Sequence, residues 1–303
     1  MIMKSRRGSL TVMLVMLAAG TTLPAAIVHP AETETVLRVC ADPHNLPASN
    51  DRGEGFENRI AQALAHDLGR TVEYTYFPQR MGFVRHTLRE RDTQTQQFKC
   101  DVIIGVPKGY ELTATTRPYM HSTYALIHPG HKDFEGFTTA EDLLKLPPAR
   151  LKSLRIGIFG RSPATDWLLR NELLDRAVMY AQQSGDPQEN PTVIIGRELS
   201  AGNIDLAVVW GPIAGQLARE HPQAPAWHAV PFRPDPQIRF DYEISMGVRF
   251  GEKEWKDTLD AWIAANQHKI DAILMEFRVP LVDANGNVTA GNAAAFSDRP
   301  VPQ

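Results

Sequence analysis

Cysteine is nearly absent from this chain: Cys40 and Cys100 are its only two in 303 residues. So few exclude a disulfide-dense scaffold, and without a C-x-x-C pair thioredoxin-like chemistry and cysteine zinc sites are excluded too. H-E-x-x-H and G-x-S-x-G are missing, and the ten histidines show no metal-ligand spacing. Long apolar runs are lacking. Residues 10–19 form the one extended run, about half of the roughly 20 residues a membrane-spanning helix needs. Charge of one sign is lacking as well. Residues 1–31 hold Lys4, Arg6 and Arg7 and no acid, so the rest carries 29 basic against 35 acidic residues, or -6. That balance gives no reason to expect a nucleic acid partner. What is present, 43% hydrophobic and 22% charged residues, suits a folded chain long enough for two domains.

Residues 1–31 read as an export signal, with a basic start, the apolar run, and small residues Ala18, Ala19, Gly20, Ala25 and Ala26 as a cleavage region. Arg6-Arg7 leaves the twin-arginine route open beside the favoured general route; an uncleaved anchor is disfavoured by the short apolar run. The mature protein is expected in the periplasm. An even cysteine pair in an oxidising compartment suggests a Cys40–Cys100 disulfide, whose loop of about 60 residues is worth roughly 4 kcal/mol. Two buried free thiols are the alternative. If the cysteines end and begin adjacent parallel strands, their Cα atoms can lie beyond the roughly 7 Å limit.

Taken in order, residues 36–40 read as a strand running into a proline-rich turn, 41–47, whose Asp42 and Asn45 should line a cleft. Phe56, Ile60, Leu64 and Leu68 mark an amphipathic helix ended by Gly69. Residues 71–77 alternate as a strand, 78–82 form a loop carrying Arg80, and Phe83, Val84, Thr87 and Leu88 mark a second helix. The acidic-then-apolar run 101–105 reads as a strand buried on both faces. These elements make a βαβαβ half-sheet with right-handed crossovers. Clefts open at the C-terminal ends of such strands, which brings in Pro107, Arg117, Tyr119 and Tyr124 from a polar segment that follows. Residues 124–128 then leave as a strand.

The second half repeats the pattern. Residues 155–159 form a strand ending at Phe159, and Arg161 and Ser162 precede Pro163 at a helix start able to hold an anion. That helix is expected to run on through Trp167, Leu168, Leu174, Ala177 and Ala181. Residues 184–191 read as a loop, 192–195 as a strand, and 202–210 as a buried strand before a helix opened by Gly211-Pro212. Trp210 is either a cleft wall or a core residue. Apolar residues at even positions from 240 to 250 predict a strand with one face covered, crossing back antiparallel to its neighbours. Residues from Leu259 to Phe277 read as a long helix, in one piece or two, and the tail from 283 as loose. The expected organisation is lobe 1 over 36–125 plus 240–283, lobe 2 over 126–239 and a tail over 284–303.

An exported two-lobed α/β chain crossed twice by strands resembles a periplasmic solute-binding protein of type II. The segments LRVCADPHNLPASN, GFENRIAQALAHDLG, FPQRMGFVRHTL, KCDVIIGVPKGYELTATTRPYMHSTYAL and FRVPLVD together resemble the MxaJ/XoxJ family. These are binding-protein-like components encoded beside methanol dehydrogenases that use pyrroloquinoline quinone (PQQ). The resemblance implies a non-enzymatic accessory protein that binds the dehydrogenase during its maturation or activation, calcium or lanthanide type left open. It implies no stably held cofactor and at most a transient contact with PQQ.

Amino-acid receptors of this fold carry a Glu-Arg pair after the third strand and an Asp-x-Pro in the second lobe. Here the first place reads Glu111-Leu112 or Thr113-Ala114, with Arg117 as a substitute, and the second Trp210-Gly211-Pro212. A cleft walled by Trp210, Phe159 and tyrosines is expected to suit an apolar or aromatic ligand. The runner-up is a receptor feeding an importer of a small organic solute. A lyase would require an acid–base pair in the cleft; His44 beside Asp42 is the one pairing there, and such turn residues more often cap backbone.

Overall fold

The structure, a computed structural model, describes Met1 and residues 35–182, 186, 188–223 and 225–290. The expected export signal, Met1 apart, and residues 291–303 of the expected tail lie outside the described residues. The chain runs β1 (Val36–Ala41), β2 (His44–Asn45), β3 (Ser49–Asn50), α1 (Phe56–Asp67), β4 (Thr71–Tyr76), α2 (Phe83–His86), β5 (Val102–Pro107) and β6 (Ala114–Pro129). It continues through α3 (Pro148–Ser153), β7 (Ile156–Phe159), α4 (Pro163–Arg170), β8 (Ala177–Tyr180), α5 (Pro191–Ser200), β9 (Leu206–Trp210), α6 (Gly211–Glu220) and β10 (Trp227–Pro231). It closes with β11 (Asp241–Val248), α7 (Lys253–Glu276), β12 (Leu281–Val282) and β13 (Val288–Ala290).

The first lobe's sheet sets β1 between β4 and β5, all parallel, with Val39 opposite both Tyr74 and Val102. The second lobe's sheet sets β7 between β8 and β9, again parallel. Two antiparallel strands join them. The first part of β6 pairs with β11, placing Ile244 opposite Met120, and β11 also pairs with β5. The second part of β6 pairs with β9, Tyr124 opposite Trp210, and with β10. The chain leaves lobe 1 on β6 and returns at Phe240, whose carbonyl accepts the Tyr124 N–H at 3.0 Å.

Amphipathic helices close these sheets. Phe56, Ile60 and Leu64 of α1 and Leu259, Ile263, Ile270 and Leu274 of α7 are buried in one cluster with Leu37, Val102 and Met246. Each such side chain contributes about 1.5–3 kcal/mol of burial. The start of α1 is set by Asn58, whose Oδ1 accepts the N–H groups of Gly55 and Asn50. Gly55 leaves no room for a side chain, since a Cβ would lie 2.1 Å from the Ala48 carbonyl oxygen. Helix α7 bends at Asn266, whose φ and ψ are -118° and 16°, so the long helix is in two segments.

The cysteines form a disulfide with a Cα–Cα separation of 5.4 Å. Cys40 faces Ile103 in the parallel register, while Cys100 lies ahead of β5, so strand spacing does not separate them.

Several expectations are corrected. The polar segment after residue 107 is not all loop: β6 begins at Ala114, because β11 offers it a partner strand. The helix expected through Ala181 stops at Arg170, where Asn171 turns its side-chain amide onto the Trp167 carbonyl and Glu172 takes a φ of 56°; residues 177–180 are β8. Residues 192–195 are helical, because Asn190 accepts the Val193 N–H and Pro191 takes the first helical position. Strand β9 begins at Leu206, after a turn. In the second half of β11 both faces are covered: Met246 and Val248 lie in the core with α1 and α7, while Ser245 and Gly247 are also buried, Gly247 close to Thr113 and Val106. Residues 284–290 are not loose: Asp283 accepts the N–H groups of Asn285 and Asn287, a side-chain turn that folds β13 onto β12.

Candidate functional site

A cavity of about 230 Å³ lies between the lobes, at the C-terminal ends of β1, β5 and β9 where α/β sheets place their ligands. The turn after β1 supplies Asn45, Pro47 and Ala48; α1 supplies Phe56 and Glu57; the loop after β4 supplies Gln79. Gly105, Val106 and Pro107 of β5, Met120 of β6 and Ile244 of β11 form its floor, and Trp210, Pro212 and Ile213 enter from lobe 2.

Close backbone approaches build this space. Gly105 faces the Glu57 carboxyl so directly that a Cβ there would sit 1.9 Å from Oε1. Gly211 brings α6 against β6, where a Cβ would meet the Thr123 carbonyl oxygen at 2.2 Å and Pro280 Cγ at 2.4 Å. Among the described residues Glu57 is the only ionisable one on the wall. Its carboxyl has no hydrogen-bond or ion-pair partner among the described residues. Desolvation pushes it up to about 7, and the nearby Asp42 carboxylate adds to the rise. Composition gave no hint of this, since Glu57 falls off the apolar stripe of α1 and reads there as a solvated helix residue. The signal was its place beside Phe56 at the start of a helix following the first cleft turn.

The lobes are latched beside this cavity. Asn190, the cap of α5, donates through Nδ2 to the His44 carbonyl at 2.7 Å, and Thr192 Oγ1 donates to the Leu46 carbonyl at 2.7 Å. Gln188 Nε2 lies 3.0 Å from His44 Nε2. Lobe 2 thus holds the turn after β1 by its backbone.

Of the residues expected in the cleft, Asn45, Pro107 and Trp210 line the cavity together. Tyr124 stands behind Trp210, ring centroids 5.7 Å apart, and burial lifts its hydroxyl to about 12. Asp42 accepts the N–H groups of His44 and Gln79, so it ties two loops together, and with Arg80 it borders a small neighbouring recess. The others lie elsewhere. Tyr119 is 1% exposed within the lobe 1 core. Its hydroxyl has no hydrogen-bond partner among the described residues, and burial raises it well above its usual value. Arg117 is exposed and gives its backbone N–H to Asp260. Phe159 is buried in lobe 2 against Tyr180. Ser162 is buried and donates to the Phe159 carbonyl, and Arg161 is exposed at a φ of 59°. Ser162 makes no side-chain cap hydrogen bond to the helix it precedes. Of the aromatic walls expected of the cleft, Trp210 lines the cavity, and Phe56, not expected there, joins it. Among the described residues no group of three His, Cys, Asp or Glu side chains could hold a metal ion, and none of their helices is long and apolar enough to cross a membrane.

Two parallel half-sheets joined by a long antiparallel strand and a return strand, with a cavity at the strand ends between them, define a type II periplasmic-binding-protein fold. No family model matches the sequence. Periplasmic binding protein XoxJ from Methylobacterium extorquens AM1 is 31% identical, superposes with a TM-score of 0.63, and is matched over 99% of its length and 82% of this chain. MxaJ from Methlophaga aminisulfidivorans MPT is 25% identical with a TM-score of 0.64, over 100% of its length and 81% of this chain. Protein MoxJ of Paracoccus denitrificans is 29% identical over 86% of this chain and 94% of its own length. The chain belongs to the MxaJ/XoxJ family.

Proposed function

We propose that this protein works in the periplasm as a non-catalytic accessory of a PQQ-dependent methanol or related alcohol dehydrogenase, binding the enzyme during its maturation or activation. The family's resemblance to dehydrogenase-associated components motivates the partner. The observation that carries the departure from amino-acid import is the cavity wall: it presents no guanidinium for a substrate carboxylate, and Arg117 lies outside it. The latch from α5 to the turn after β1 supports the same reading, since the protein's own side chains bridge the lobes.

The interlobe cavity does not suit PQQ. That cofactor is a polycarboxylate, and among the described residues the only ionisable group on the wall is another carboxyl; like charges without a counter-cation repel. No contact with PQQ is assigned there. The reading is tested by co-purifying the exported chain with the dehydrogenase in its cofactor-free and loaded forms. Association with either form is expected, and association with neither overturns it. A receptor feeding an importer is the second reading, favoured by a cavity lined from both lobes. Calorimetric binding of an amino acid or small organic acid at micromolar affinity would select it.

A further inference from the structure

The interlobe cavity holds one ionisable side chain whose charge the fold does not use. Among the described residues Glu57 opens onto it without a hydrogen-bond or ion-pair partner, and no Lys, Arg or His lines the wall. The charged group acting on Glu57 is a second anion, Asp42. Position in the first turn of α1 favours the ionised carboxylate through the helix's positive end, while burial opposes it, so the site lacks a counter-cation. The same cavity is lined by Trp210, Ile213, Met120 and Ile244, apolar side chains that include one indole of the kind able to attract a cation. The start of α6 also borders the cavity, yet Pro212 there has no N–H to offer an anion. At about 230 Å³ the space is below the roughly 300–1,000 Å³ of drug-sized sites.

We propose that this cavity binds a small organic cation, a primary or methylated ammonium on a short apolar body, with its charged head at Glu57 and its body against Trp210 and Ile213. The walls come from both lobes, so such a ligand would bridge them beside the latch. The inference does not depend on the dehydrogenase partner, and co-purification leaves it untouched.

Calorimetry on the exported chain at pH 8 tests it, using butylammonium and tetramethylammonium chloride against butanol and butyrate at matched ionic strength. The ammonium probes are expected to bind, butanol at least tenfold more weakly than butylammonium, and butyrate not at all. E57Q should weaken butylammonium at least tenfold while leaving butanol unchanged. Should E57Q not fold, the charge series on the unaltered protein decides alone. Equal binding of alcohol and ammonium, binding of butyrate, unchanged ammonium affinity in E57Q, or no ammonium binding in the millimolar range would each overturn the proposal. A blocked lysine amide serves as the arm for a protein-borne ammonium. Its binding in place of butylammonium would overturn the assignment to a free small cation.

Discussion

Replacing Glu57 by glutamine should make the protein's stability depend less on pH, with a sign that follows from where the carboxyl sits. Its ordinary value is 4.5 and its folded value about 7. Between them the native chain holds a proton that the unfolded chain has lost. Native stability therefore falls as pH rises through this window, by about 1.4 kcal/mol per pH unit, or about 3 kcal/mol in all. Glu57 is only half-buried by exposure, so solvent screening removes part of that and about 1–3 kcal/mol is expected. His128 acts in the opposite direction. Burial holds it down at about 4 from an ordinary 6.5, so the stability it contributes is lost as pH falls through that interval. The two effects overlap from 4.5 to 6.5 and offset each other, which leaves the unaltered protein's pH curve uninformative there. The difference between E57Q and the unaltered protein isolates Glu57. Urea unfolding followed by tryptophan fluorescence, disulfide intact, should show a difference that grows from pH 4.5 and puts E57Q about 1–3 kcal/mol ahead by pH 8. A difference constant with pH, or one that moves against E57Q as pH rises, would refute the burial argument.

Removing both cysteines as alanines should lower unfolding free energy by about 4 kcal/mol, since the bridge closes a loop of 60 residues; an unchanged denaturant midpoint would contradict this. N190A removes both the cap of α5 and the donor to His44, so it should cost about 1–2 kcal/mol. Combined with T192V it should enlarge the radius of gyration in small-angle scattering, and an unchanged radius would show that the latch does not hold the lobes. G211A forces a Cβ onto the backbone oxygen of Thr123, where nothing flexible can yield, and should cost about 1–3 kcal/mol or more. G160A, with open space around its Cβ, should cost little by comparison; equal costs would count against the packing argument.

The fold was legible where hydrophobic period and chain punctuation agree. Phe56, Ile60 and Leu64 face one way at helical spacing, and the apolar run of β5 reads as a doubly buried strand. Where period alone was available, the reading failed. Thr192, Val193, Ile194 and Ile195 are β-branched and suggest a strand, yet the cap Asn190 and Pro191 make them helical. Around β11 the alternation was real, but whether its odd positions face water depends on what packs over each face, Thr113 and Val106 at Gly247 among them, which a local pattern does not contain. The same limit hid part of the site. Trp210 and Pro107 were found from strand ends. Tyr119 was placed in the cleft because its segment read as loop, whereas the strand that forms there turns its ring into the core. Glu57 was missed because the space in front of it is created by Gly105, 48 positions along the chain.

The latch changes what a ligand can do here. In a receptor whose ligand supplies the contacts between lobes, ligand and closure are one event, and closure reports occupancy. In this protein Asn190 and Thr192 already donate to backbone carbonyls of the facing lobe, each such bond worth about 0.5–1.5 kcal/mol. A ligand shifts the lobe equilibrium only through its differential affinity for the closed state. Bonds of that size move an equilibrium roughly two- to tenfold each, so they bias the lobes toward this arrangement independently of any ligand. Occupancy would then be read less from the overall shape than from the cavity's own contacts, Glu57 on one side and Trp210 on the other. A partner protein recognising the closed pair of lobes would meet nearly the same outer surface in either case. On the proposed accessory role, a lobe arrangement held by the protein's own bonds would let a partner bind whether or not the cavity is filled.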